Sequence, residues 1–161
     1  MNVINEAGVL AISTRLQRLS DMLRKDGLLI YREFDTDFEP KWFPVVYSLY
    51  KKSTMSVVEL SAEIGYSHPA TISLLKELEK QKLVVSKKDK SDERKRLIEL
   101  TKKGNELVRQ IQPIWRLMET TITEILDTKN HLLKAIEEVE AQLERQGFHQ
   151  RAKVKLSKKK K

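Results

Sequence analysis

The chain has 161 residues, 34% charged and 40% hydrophobic, with a net charge of +8 and no cysteine. That length holds one domain with a sizeable core, or a small domain with helical extensions. Lack of cysteine excludes disulfides, thiolate metal sites and a cysteine nucleophile, and fits a reducing cytoplasm; no apolar run reaches the roughly 18 residues a membrane span needs, and the N-terminal MNVINEAGVLAISTR lacks the layout of a signal peptide.

The charge is unevenly placed. Residues 148–161 hold seven cations (Arg151, Lys153, Lys155, Lys158, Lys159, Lys160 and Lys161) and no acid, which leaves +1 for residues 1–147. This end is expected to be a disordered, solubilising tail, although its lysines can also add non-specific attraction to phosphates.

Taken in order, residues 6–34 read as one long helix. Val9, Ile12, Leu16, Leu19, Leu23, Ile30 and Phe34 recur near helical spacing. The turn residues of Asp35–Pro40 interrupt it. A second helix covers about Lys41–Lys52, its start restricted by Pro40 and Pro44. Ser56 and Glu59 have capping-box spacing, so a third helix starts there and ends at Gly65. Ser67 can cap the next helix, Ser67–Lys82, with Pro69 in its first turn. Strands are expected at Leu83–Lys87 and Leu97–Thr101, around a charged loop, Lys88–Arg96. A long helix follows from about Lys102, and a last one covers about Lys129–Gln146.

Helix, turn, helix and basic hairpin make a winged helix-turn-helix. The fold class is therefore mainly α with a small β-hairpin wing, about residues 40–101. Helices at about 6–34 and 102–147 carry more apolar surface than the wing module needs. Together these form one domain, residues 1–147, and pairing of the flanking helices between two copies would bury the surplus and give a homodimer.

Thr71, Leu74, Leu75 and Leu78 mark the core face of the 67–82 helix. His68, Pro69, Ile72, Ser73 and Lys76 fall away from it. Side chains near the N-terminus of such a helix reach base edges. Ser67 and Ser73 can pair with donors or acceptors, Ala70 and Ile72 can meet thymine methyl groups, and Lys76 suits a phosphate. The hairpin offers Lys88, Lys90, Arg94, Lys95 and Arg96 to phosphates or a minor groove. Asp92 is placed to pair with Arg94 and fix its direction. Solvated surfaces without a partner fit the same residue types.

His68, His131 and His149 are far apart and have no metal-ligand spacing. No phosphate loop or metalloprotease motif appears. Neither metal, cofactor nor enzymatic activity is expected. Trp42, Phe43, Tyr47 and Tyr50, with Trp115 and Met118, either pack a core or line a pocket for a small aromatic effector. The ligand candidates are Trp42, Phe43, Tyr47, Trp115 and Met118.

The segment TMSVVELSAEIGYSHPATISLLKELEKQKLVVSKKDKSDERKRLIELTKKG resembles the MarR family. The family's wing pattern is met by Asp92, Arg94, Leu97, Leu100, Thr101 and Gly104. FEPKWFPVVYSLY and Val9–Leu16 are similar to a MarR-like domain that precedes an acetyltransferase domain in some proteins. The resemblance implies a homodimer on a pseudo-palindromic operator, usually a repressor released by a ligand. It also implies Arg94 near the minor groove, oriented by Asp92. The chain departs from the family at Ile72, commonly polar, at Ser73, often arginine, and at Lys82, commonly glycine. The expected partners are thus double-stranded DNA, a second copy of the chain and a small effector, with no membrane. The competing expectation is a winged module that docks another protein and has only non-specific affinity for DNA.

Overall fold

The computed structural model describes residues 2–89 and 96–159. They fall into two compact units, Met1–Arg116 and Leu117–Lys161.

The first unit opens with a short helix, α1 (Val3–Glu6), a 3-10 turn (Gly8–Ala11) and a long helix, α2 (Ile12–Glu33). The single helix expected over residues 6–34 is therefore broken near its start. Gly8 takes φ +57°, a conformation glycine adopts without penalty, and the helical ladder restarts beyond it. A 3-10 turn (Pro40–Trp42) leads into α3 (Phe43–Lys52), with Pro44 in its first turn.

A strand absent from the sequence expectations, β1 (Thr54–Ser56), precedes α4 (Val57–Ile64). Three residues are too few to show a period of two. They become a strand by pairing with β3 (Arg96–Leu100), Met55 opposite Ile98. β2 (Val84–Lys88) flanks β3 on its other edge, so the antiparallel sheet has the order β1-β3-β2.

The capping box at α4 forms as expected. Glu59 N–H donates to Ser56 Oγ at 3.2 Å, and Ser56 N–H donates to Glu59 Oε2 at 2.7 Å. Gly65, at φ +69°, ends the helix.

Then comes α5 (His68–Lys80), closed by a left-handed Lys82 at φ +60°. Leu83 N–H donates to Leu78 O at 3.0 Å and Lys82 N–H to Glu79 O at 2.8 Å. This is a Schellman ending in which lysine stands where glycine is favoured. The departure from glycine at Lys82 therefore leaves the left-handed conformation in place.

The core lies between these elements. Val45, Val46 and Leu49 of α3, Leu60 of α4 and Ile98 of β3 are buried. Thr71, Leu74, Leu75 and Leu78 of α5 are buried too, as their spacing predicts. Thr71 satisfies its hydroxyl by donating to Ser67 O at 3.1 Å. The next helix, α6 (Lys102–Leu126), contributes Val108, Ile111 and Ile114 to the core from its first-unit part.

The second unit holds the end of α6 with α7 (Leu132–Arg145) and α8 (Phe148–Lys159). No residue of α7 is buried, and Leu133, Val139 and Leu143 are exposed. Of the segment 148–161 expected as a disordered tail, Phe148–Lys159 form α8, and Lys160 and Lys161 lie outside the described residues. Arg151 donates from Nε to Gln146 O and from Nη2 to Gln142 O, both at 2.8 Å, which satisfies carbonyls at the end of α7 and ties α8 to it. No described helix is long and apolar enough to cross a membrane.

Candidate nucleic-acid interface

The candidate reading helix, α5, starts at a cap. Ser67 has extended backbone (φ −63°, ψ 151°), and its Oγ accepts the Ala70 N–H at 3.4 Å. One lone pair of this serine is therefore spent on α5 itself, and its second lone pair and its hydroxyl proton remain. With Leu74, Leu75 and Leu78 held in the core, the opposite face turns outward. His68, Pro69, Ala70, Ser73 and Lys76 are exposed, and Ile72 is half-buried. Pro69, Ser73 and Lys76 sit at i, i+4 and i+7, so they form one stripe.

Two contacts fix α5 against its neighbours, and sequence reasoning missed both. Glu77 Oε1 accepts the Trp42 Nε1–H at 2.8 Å and pairs with Lys41 Nζ at 2.8 Å. The Lys41 ammonium and the Trp42 N–H hold the Glu77 carboxyl below its ordinary range, against a smaller opposing effect of burial. In the turn before α5, Arg24 Nη2 of α2 donates to Tyr66 Oη at 3.4 Å. Both pairs are remote in sequence, so no local pattern announces them.

The wing is held at its base. Thr101 Oγ1 donates to Lys82 O at 2.7 Å and accepts the Gly104 N–H at 3.0 Å, joining the end of α5 to the start of α6. Along the hairpin, Lys87 pairs with Glu99 and is committed to that strand contact. Lys88 and Arg96 are exposed and lie directly opposite each other in the β2–β3 register. Like charges facing across strands repel, and an anion set between them removes the repulsion. Lys90, Asp92, Arg94 and Lys95 lie outside the described residues.

The aromatic residues resolve into a core and an outer face. Phe38 is fully buried, with ring centroids 4.9 Å from Tyr31, 5.8 Å from Trp42 and 6.2 Å from Trp115. Tyr31 and Phe38 did not stand out in the sequence. Trp115 Nε1 donates to Tyr31 Oη at 2.8 Å. Burial pushes the Tyr31 hydroxyl up to about 12, although the Trp115 N–H works the other way. On the outer side, Phe43 stacks on Tyr47 at 5.0 Å, and Trp115 meets Phe43, Tyr47 and Tyr50 at 5.4, 5.5 and 6.3 Å. Phe43, Tyr47 and Tyr50 remain 38% exposed. Four of the ligand candidates thus meet in one cluster. Trp42 forms its buried floor, with Trp115 between floor and rim. Met118 belongs to the second unit. Among the described residues no group of His, Asp and Glu is placed to hold a metal.

The model of the MarR family matches residues 36–95. No curated protein matches the chain in sequence. Among solved structures, the transcriptional repressor CouR bound to a 23-mer DNA duplex is similar at 25% identity and a TM-score of 0.67, covering 83% of this chain and 96% of that one. The Staphylococcus aureus MepR–DNA complex has 20% identity and a TM-score of 0.68 over the same shares. Bordetella bronchiseptica BpsR, whose DNA binding is regulated by 6-hydroxynicotinic acid, has 18% identity and a TM-score of 0.58, covering 80% and 98%. Residues 36–95 thus match the MarR family, and the chain shares the winged helix-turn-helix fold of these DNA-bound structures.

Proposed function

We propose that the chain is a homodimeric, sequence-specific binder of double-stranded DNA that represses transcription and releases its operator when a small aromatic ligand binds. The observation that carries this is the exposed stripe of α5. Its N-terminal side chains are free of the core and its orientation is fixed through Glu77 and Ser67. In this reading the stripe enters the major groove, and the wing follows the flanking phosphates. A second copy supplies the second reading head. Leu10, Met22 and Leu29 in the first unit are 88%, 64% and 56% exposed, apolar surface that a partner chain would cover. A regulator of this kind works where the chromosome lies, which places it in the cytoplasm.

The half-exposed rims of Phe43 and Tyr47 beside Trp115 support a flat aromatic ligand. Titration with a panel of aromatic acids, following tryptophan emission and operator affinity together, tests this part. A ligand that shifts emission and leaves the DNA complex intact would contradict it.

Substitutions separate the two kinds of interaction. Arg94→Ala is expected to weaken binding to every duplex and to lower the salt slope by about 1 for each phosphate no longer neutralised. Ile72→Ala or Ser73→Ala is expected instead to change the preferred base at one position, a discrimination of about 1–3 kcal/mol. Equilibrium binding to a set of single-base operator variants checks both. Uniform weakening by Ser73→Ala, with no change of preference, would remove α5 from base recognition.

A further inference from the structure

We infer that α8 is a second, sequence-independent binding element for the phosphates of duplex DNA; the inference rests on the DNA-binding function proposed above. α8 carries Arg151, Lys153, Lys155, Lys158 and Lys159 in twelve residues, without one acid, and Lys160 and Lys161 follow. An ordinary solvated helix mixes its charges. α7 does so, with Glu137 and Glu138 three and four residues after Lys134. In α8 the same spacings join like charges: Arg151 with Lys155, and Lys155 with Lys158. Each such pair opposes the helix by about 0.2–0.5 kcal/mol. The helix nonetheless forms, anchored by the Arg151 bonds to α7.

Lys153, Lys155 and Lys158 are exposed, and the ion pairs formed among the described residues do not involve them. A polyanion would remove their repulsion and gain from the release of its counterions. At 100° per residue Lys155 and Lys158 share one face with Arg151, Lys153 lies on the other side, and Val154 lies apart from Phe148 and Leu156. The helix therefore lacks the single apolar face needed to lie in a bilayer surface. A row of cations along one face of a rod suits the extended backbone of a duplex, which offers phosphates at regular intervals.

The test uses the full chain with K153Q, K155Q and K158Q combined, leaving Arg151 in place, beside a matching triple Lys→Arg variant. Affinity is measured against salt for a selected operator and for an unrelated duplex. The glutamine variant is expected to lose affinity for both duplexes by the same factor, about tenfold or more at low salt, with a salt slope smaller by about 1–3 per protomer engaged. The arginine variant is expected to keep both. Unchanged slopes and affinities would overturn the inference, as would a loss confined to the operator. Loss of binding to phosphatidylglycerol vesicles without any change on DNA would also overturn it, in favour of a membrane contact. The proposed function fails separately, if the unaltered chain prefers no sequence, and the salt slopes would still report on α8.

Discussion

Phe38→Ala is expected to destabilise the first unit by about 3–5 kcal/mol, the range for emptying a buried phenylalanine site. Phe38 is wholly inaccessible and stands among Tyr31, Trp42 and Trp115, so the substitution removes the ring on which three elements pack. The void cannot close easily. Trp42 is held to Glu77 and Trp115 to Tyr31 by 2.8 Å hydrogen bonds, and collapse would strain or break one of them. Because Trp42 also orients α5 through Glu77, operator affinity is expected to fall before the chain unfolds globally. Urea unfolding followed by tryptophan emission measures the first effect, and binding below the transition measures the second. A stability loss under about 1 kcal/mol would mean the cluster is loosely packed, since even an Ile→Val truncation in a close-packed core costs about that much.

Gly104→Ala is expected to cost about 3 kcal/mol, although local propensity points the other way. Alanine is favoured over glycine inside a helix by about 1 kcal/mol, and Gly104 lies near the start of α6. A Cβ there would stand 2.1 Å from Leu83 O and 3.1 Å from Leu83 C. Both are backbone atoms, and Leu83 O is already bound by the Thr101 N–H at 3.0 Å. Nothing flexible can yield, so α6 must shift away from the end of α5 and the base of the wing. The sign of the change therefore decides the matter. Destabilisation in urea, with wing-dependent DNA affinity reduced, supports the close approach; a gain in stability would contradict it.

The elements that the sequence revealed are those governed by local rules. The caps at Ser56 and Ser67, the stop at Gly65 and the buried stripe Thr71–Leu78 are each decided within a few residues, and each stands as expected. The misses are decided at long range or by one backbone angle. β1 exists because β3 pairs with it. The first helix breaks because Gly8 turns left-handed, which no hydrophobic period reveals. α8 has little apolar periodicity and strong self-repulsion, so its charge suggested a disordered tail, whereas capping of α7 by Arg151 favours a helix. At the interface, the outward stripe of α5 was legible because it is the complement of the core stripe. Glu77, Arg24 and Tyr66 were not, because their partners lie 35 and 42 residues away.

On the proposed function, α5 reads sequence in a duplex as part of a dimer. In vitro selection of random duplexes by the purified protein, at about physiological salt, tests it most directly. A palindrome is expected whose half-sites lie about one helical turn apart, at roughly 10–10.5 base pairs centre to centre. Recovery of no motif, with affinity that collapses steeply as salt rises, would contradict it: binding would then be driven by charge alone, and the α5 face would be left for a protein partner.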